Sequence, residues 1–211
     1  MSISFDLSLY LVTDRSLSLN RPLEFIVEEA VKGGVTMVQL REKDCSSKEF
    51  YEQATKLKAC LKPYHIPLII NDRLDIALAC DAEGLHIGQS DLPYPIARKL
   101  LGKDKIIGLS VESVQDALDA NALDVDYIGI SPVFGTPTKT DTAPALGLEG
   151  IRVISQYSRH PSVAIGGIHT GNTAYIISAG ANGIAVVSAI MSAANPQESA
   201  QQLNKIINQS K

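Results

Sequence analysis

Three short stretches of this chain carry side chains that together could bind and neutralise a phosphorylated compound. In Gln39-Leu40-Arg41-Glu42-Lys43, a strand period of two puts Gln39, Arg41 and Lys43 on one face and Leu40 on the other. An amide and two cations on one face suit an anionic, nitrogen-bearing ligand. The plainer reading pairs Arg41 and Lys43 with Glu42 or Asp44 on a solvated loop. Asn71-Asp72 and Gln89-Ser90-Asp91 follow the next two apolar runs. Asp72 and Asp91, at adjacent strand ends, can share one hard cation: Mg²⁺ takes one or two protein carboxylates and completes its shell with water and phosphate oxygens. Either aspartate taken alone reads as a helix N-cap; their pairing beside Arg41 and Lys43 favours the metal.

Other residues add further anion-binding chemistry, and those after the last two runs form a second, metal-free site. Thr136, Thr138 and Lys139 lie on a proline-restricted loop, Gly135-Thr136-Pro137-Thr138-Lys139-Thr140-Asp141, which reads either as an anion clamp or as a surface turn. Gly166-Gly167-Ile168 and Val187-Ser188-Ala189 follow the last two apolar runs. Gly167 lets a ligand approach the backbone closely, and Ser188 adds a hydroxyl; tight turn geometry is the alternative. Two separated anion sites imply two phosphorylated ligands, and Ser110, on the same strand face as Gly108, could orient a ring between them or serve as an internal hydrogen bond. His86, within a strand, reads as a satisfied core residue with no catalytic role.

These residues must be positioned by a repeating scaffold. Short apolar, β-branched runs recur at Leu7–Thr13, Met37–Lys43, Pro67–Asn71, Gly84–Gly88, Lys105–Val111, Tyr127–Phe134, Ser162–Ile165 and Gly183–Val187, each too short for a typical helix. Helical patterns separate them: Pro22–Lys32, Lys48–Leu61, Asp75–Cys80, Pro93–Leu101, Ser113–Asn121, Leu148–Tyr157, Asn172–Ala179 and Pro196–Ile207. Strict alternation predicts parallel strands covered by helices, and eight units predict an α/β fold, a single (β/α)₈ TIM barrel of eight parallel strands, over a doubly wound open sheet. Active sites of such barrels lie at the C-terminal ends of the strands, with phosphate often bound after strands 7 and 8.

The 211 residues, 45% hydrophobic and 20% charged, suit one domain spanning the chain. A formal net charge of −4 gives no overall attraction to nucleic acid or to an anionic membrane. Cys45, Cys60 and Cys80 lack metal-ligand spacing and read as free thiols of a reducing compartment. With no basic leader pattern at the N-terminus and no apolar stretch near the roughly 18 residues of a membrane span, the chain reads as cytoplasmic. Whether it forms a homo-oligomer stays open.

The strings Val38–Lys43, Ile69–Arg73, Gly84–Gln89 with Asp91, Pro132–Lys139, Ala164–Ile168 and Gly183–Ile190 resemble those of the thiamine-phosphate synthase family, from about the first strand to the last. The resemblance implies transfer of a pyrimidinylmethyl group from hydroxymethylpyrimidine diphosphate to the ring nitrogen of hydroxyethylthiazole phosphate, with release of pyrophosphate. It implies that Gln39, Arg41, Lys43, Asn71, Ser110 and Lys139 hold the pyrimidine diphosphate, that Asp72 and Asp91 bind Mg²⁺, and that Thr136, Thr138, Gly167, Val187 and Ser188 hold the thiazole phosphate. Arg41, Lys43, Ser110 and Lys139 are the groups expected at the reacting centre. The family's dissociative chemistry needs positioning and charge neutralisation but no general base, because the thiazole nitrogen already carries a lone pair. Gly135 and Thr140 depart from the family's usual Pro and Lys, at positions peripheral to the implied contacts. A thiazole tautomerase-like barrel would dispense with the metal carboxylates and the full diphosphate set. A non-catalytic thiamine-phosphate binding protein would bind product without turnover.

Overall fold

The computed structural model describes residues 5–135 and 144–211. Eight strands, β1 (Leu9–Val12), β2 (Met37–Leu40), β3 (Leu68–Asn71), β4 (Gly84–Ile87), β5 (Ile106–Val111), β6 (Tyr127–Ile130), β7 (Ser162–Ile165) and β8 (Gly183–Val186), pair in parallel in chain order. The barrel closes through β8 on β1. The helices are α1 (Leu23–Lys32), α2 (Ser47–Leu61), α3 (Leu74–Ala79), α4 (Tyr94–Leu101), α5 (Val114–Ala120), α6 (Gly147–Tyr157), α7 (Thr173–Ser178), α8 (Ser188–Met191) and α9 (Pro196–Ser210). The predicted TIM barrel is the fold observed.

The alternation of side chains along each strand divides the apolar residues between two cores. Leu9, Leu11, Val38, Leu40, Leu68 and Ile70 face outward into a layer shared with helix residues such as Ile26, Phe50 and Leu203. Tyr10, Val12, Met37, Ile69, Ile106, Tyr127 and Val163 fill the barrel interior. Local signals set the helix starts: Ser46 and Glu49 form a capping box on α2, worth about 1 kcal/mol, while Ser113 and Asn195 cap α5 and α9.

The strands end earlier than the sequence pattern predicts. β2 stops at Leu40, so Arg41 and Lys43 belong to the following loop and the period-two argument reaches only Gln39. β6 stops at Ile130, beyond which the Ser131–Pro132 peptide is cis. The sequence reading also omits α8, whose four residues are too few to show a helical period. Among the described residues no helix is long and apolar enough to cross a membrane.

The N-terminal end of the barrel is closed by side chains that satisfy strand and loop backbone. Glu83 accepts from Leu68 N–H at 3.0 Å, Asp126 from Ile107 N–H at 2.8 Å, and Asn182 from Ser162 N–H at 2.8 Å. Ion pairs tie these loops together: Arg98 to Asp126 at 2.6 Å and Lys105 to Asp81 at 2.5 Å. The C-terminal end is left free for chemistry.

Candidate active site

A cavity of about 400 Å³ opens at the C-terminal ends of the strands. Gln39, Arg41, Lys43, Asn71, Asp72, Asp91, Ser110, Gly167, Val187 and Ser188 all line it. Thr136, Thr138 and Lys139 lie outside the described residues. The groups from the early strands and those from the last two therefore share one rim.

Neither aspartate is a helix cap. The α3 N-cap is Arg73 and the α4 N-cap is Pro93, with no side-chain cap bond at either. Asp72 instead adopts a left-handed backbone, φ 62°, a conformation that aspartate tolerates better than most residues. Its N–H is held by the His86 carbonyl at 2.9 Å. Asp91 Oδ2 accepts from Gly88 N–H at 2.7 Å, folding the loop after β4 back toward β3. The two carboxyl groups lie close enough to act on each other. Burial of the carboxyl first, and then the neighbouring Asp91 charge, push Asp72 up from its ordinary value to about 6, against the opposing pull of Arg41 and the Asn71 side chain. Two carboxylates this close need a shared proton or a cation between them. Among the described residues no group of three or more His, Cys, Asp or Glu side chains could hold a metal. A two-carboxylate site with room for water and phosphate fits Mg²⁺ and does not fit zinc.

The Arg41 guanidinium is not taken up by Glu42, the neighbour that the plainer reading gave it. Glu42 is engaged by Arg15, whose guanidinium reaches it at 3.0 and 3.2 Å. The Arg41 guanidinium lies a loose 3.6 Å from Asp14, and its backbone N–H is fixed by Thr13 Oγ1 at 3.1 Å.

Below the rim, polar side chains cross the barrel interior. Gln39 Nε2 donates to Tyr10 Oη at 2.8 Å, Tyr10 Oη meets Tyr127 Oη at 3.0 Å, Tyr127 Oη meets His86 Nδ1 at 2.9 Å, and His86 Nε2 meets Ser110 Oγ at 2.9 Å. Burial pushes the His86 imidazole down to about 4 and holds the Tyr10 and Tyr127 phenols well above their ordinary value, so all three are neutral near pH 7. His86 is the satisfied strand histidine that its sequence position suggested. Tyr10 and Tyr127 escaped the sequence reading. Their signal was a buried, inward strand position for a side chain whose hydroxyl must find a partner.

On the opposite side, the glycine pair is pinned. Gly166 and Gly167 have φ of 106° and 65°, which strains any side-chain-bearing residue. Phe134 N–H donates to the Gly166 carbonyl at 3.1 Å, and Asn172 Nδ2 to the Gly167 carbonyl at 2.9 Å. Ser188 opens α8, and Arg21 secures the other end of that helix by donating to the Met191 and Ala193 carbonyls at 2.6 and 2.8 Å. The arrangement offers backbone and hydroxyl donors without a metal, the chemistry suited to a phosphate monoester.

Comparison with known proteins agrees with this geometry. The family model described as thiamine monophosphate synthase matches residues 9–190. A thiamine-phosphate synthase of Syntrophomonas wolfei is 54% identical over 204 residues, 97% of this chain and 98% of that protein. One from Clostridium acetobutylicum is 50% identical over 202 residues, 96% of this chain and 95% of that protein. Among solved structures, the thiamine phosphate pyrophosphorylase from Pyrococcus furiosus superposes with a TM-score of 0.89 at 38% identity, covering 97% of this chain and 96% of that one.

Proposed function

The chain belongs to the thiamine monophosphate synthase family and is an enzyme that forms thiamine phosphate, and from that premise we propose that the strand-end cavity holds both phosphorylated substrates side by side. The pyrimidine diphosphate lies over β2 to β5 and the thiazole phosphate against β7 and β8. The observation that carries this reading is that the cation and carboxylate groups of the early strands line the same cavity as Gly167 and Ser188.

In this reading Gln39, Asn71 and Ser110 hold the pyrimidine ring, Arg41 and Lys43 the diphosphate, and Gly167, Val187 and Ser188 the thiazole phosphate. Lys139, Thr136 and Thr138, outside the described residues, are assigned to the diphosphate and the thiazole phosphate on the sequence resemblance alone. Asp72 and Asp91 would hold Mg²⁺, which when bound neutralises charge on the diphosphate. The bond from the pyrimidine methylene carbon to the diphosphate oxygen breaks with its electron pair leaving on pyrophosphate, and the thiazole nitrogen lone pair forms the new carbon–nitrogen bond. Arg41 and Lys43 stabilise the departing anion, while the cavity walls keep the two rings in line. No side chain has to remove a proton. The three cysteines as free thiols support a cytoplasmic enzyme, working as a single domain.

Steady-state kinetics on two variants test the division of the cavity. Arg41→Ala is expected to raise KM for the pyrimidine diphosphate about tenfold or more, and Ser188→Ala to raise KM for the thiazole phosphate several-fold, each leaving the other KM near wild type. Crossed or absent effects would refute the assignment of the two subsites.

A further inference from the structure

The chain of hydrogen bonds across the barrel floor uses every proton of its members when it runs in one direction. Gln39 Nε2 donates to Tyr10 Oη, and in that direction Tyr10 gives its proton to its other partner among the described residues, Tyr127 Oη. The Tyr127 proton then goes to His86 Nδ1, which in this direction is the unprotonated ring nitrogen. A neutral imidazole in that state carries its proton on Nε2 and gives it to Ser110 Oγ. Ser110 has spent an acceptor lone pair on His86 and turns its own proton toward the cavity that it lines. At the far end, Gln39 has committed an N–H to Tyr10 and lines the same cavity, where its amide carbonyl oxygen can accept.

The space for this relay is built into the strands. A Cβ on Gly108 would stand 2.1 Å from Tyr127 Cζ and 2.6 Å from His86 Nδ1, and one on Gly129 would stand 3.2 Å from His86 Cε1. Tyr10 and Tyr127 also pack edge to face, their ring centroids 6.0 Å apart, which fixes the phenol oxygens in line.

We propose that Tyr10, Tyr127 and His86 are positioning residues that set the polarity of the ring-binding groups, presenting an acceptor at Gln39 and a donor at Ser110. Such a floor selects a heterocycle with an N–H donor on one edge and an unprotonated ring nitrogen on another, the pattern of an aminopyrimidine, and disfavours its oxo counterpart. The proposal rests on the reading that this cavity takes the pyrimidine diphosphate.

Two experiments test it. In the unmodified protein labelled with ¹⁵N-histidine, the His86 signal, identified by its loss in His86→Gln, is expected to report the Nε2-protonated tautomer; a proton on Nδ1 would mean the opposite polarity and would overturn the proposal. In kinetics, Tyr127→Phe removes the donor to Nδ1 and lets Ser110 turn its proton inward. KM for the pyrimidine diphosphate is then expected to rise about tenfold, the value of one hydrogen bond, with KM for the thiazole phosphate unchanged. Tyr10→Phe acts on the Gln39 end and is expected to show the same selectivity. Unchanged KM values in both variants, or equal rises for both substrates, would also overturn it. A wild-type protein with no affinity for the pyrimidine diphosphate would instead sink the reading of the cavity on which the proposal rests.

Discussion

Replacing Asp91 by Asn should make the metal-free protein more stable and the enzyme worse at using Mg²⁺. The side chains are nearly the same size, and Asn retains an oxygen for the Gly88 N–H that Asp91 now receives at 2.7 Å. What disappears is a like charge beside Asp72, which is pushed up to about 6 from an ordinary 3.8 by burial first and Asp91 second. An acid whose folded pKa lies above its unfolded value holds its proton more tightly when folded. That contribution is fully present below about pH 4 and is lost as pH rises through about 6. Fully transmitted, such a displacement would correspond to about 3 kcal/mol. Asp91 is only the second cause and Asp72 is exposed toward the cavity, so solvent screening leaves about 1 kcal/mol or less for the substitution to recover. For a chain of this size that is a rise in Tm of about 2–4 °C at pH 7, fading below about pH 4. In the same variant the half-saturating Mg²⁺ concentration for thiamine phosphate formation should rise by about an order of magnitude or more, one of two carboxylates having gone. Differential scanning calorimetry in chelator and a Mg²⁺ titration of product formation read the two effects. A fall in Tm at pH 7 with an unchanged Mg²⁺ response would refute both the electrostatic argument and the metal site.

Because a proton would compete with the metal proposed at Asp72, half-saturating Mg²⁺ in the wild type should be about tenfold higher at pH 5 than at pH 7; a flat titration across that range would remove Asp72 from the site. Gly167→Ala puts a side chain at φ 65° with its Cβ 2.9 Å from both the Gly135 carbonyl oxygen and Phe134 Cβ. A loss of about 2–4 kcal/mol in stability and a raised KM for the thiazole phosphate are expected, measured by denaturant unfolding and initial rates. Arg21→Ala releases the carbonyls at the end of α8, and should cost about 2 kcal/mol while raising KM for the thiazole phosphate and sparing that for the pyrimidine diphosphate. Asp81→Ala, which removes the partner of Lys58 and Lys105 at the opposite end of the barrel, should lower Tm by a few degrees and leave kcat at the wild-type value.

The barrel is legible in the sequence because its strands are short apolar runs with chain-order pairing, so local pattern and global topology agree. The outward series Leu9, Leu11, Val38 and Leu40 and the inward series Tyr10, Val12, Met37 and Gln39 can be read residue by residue. The strand ends are less legible. Arg41 and Lys43 sit in a loop whose course is set by tertiary bonds, Arg41 N–H to Thr13 and the Arg15 pair with Glu42, to which no local period corresponds. Asp72 and Asp91 carry the composition of caps; only the left-handed turn at Asp72 and the Gly88 bond to Asp91 turn the two carboxyls on each other. The hydrogen-bonded floor joins five strands through contacts as distant as Tyr10 to Tyr127, so Tyr10, His86 and Tyr127 look like ordinary core until the barrel is closed.

The two ends of the barrel handle charge in opposite ways, and the contrast explains how one scaffold can be both stable and reactive. At the N-terminal end, opposite charges meet at 2.5 and 2.6 Å and acidic side chains are consumed by strand N–H groups. At the C-terminal end, Asp72 is held against Asp91 and Arg41 stops at 3.6 Å from Asp14. Each of these costs stability that a rearranged loop could recover, and the bonds of Arg41 N–H to Thr13 and of Gly88 N–H to Asp91 hold the two loops against that relaxation. A phosphorylated ligand and a divalent cation, bound as proposed, would complete this electrostatic arrangement, so their binding should stabilise the fold most at the loops after β2, β3 and β4.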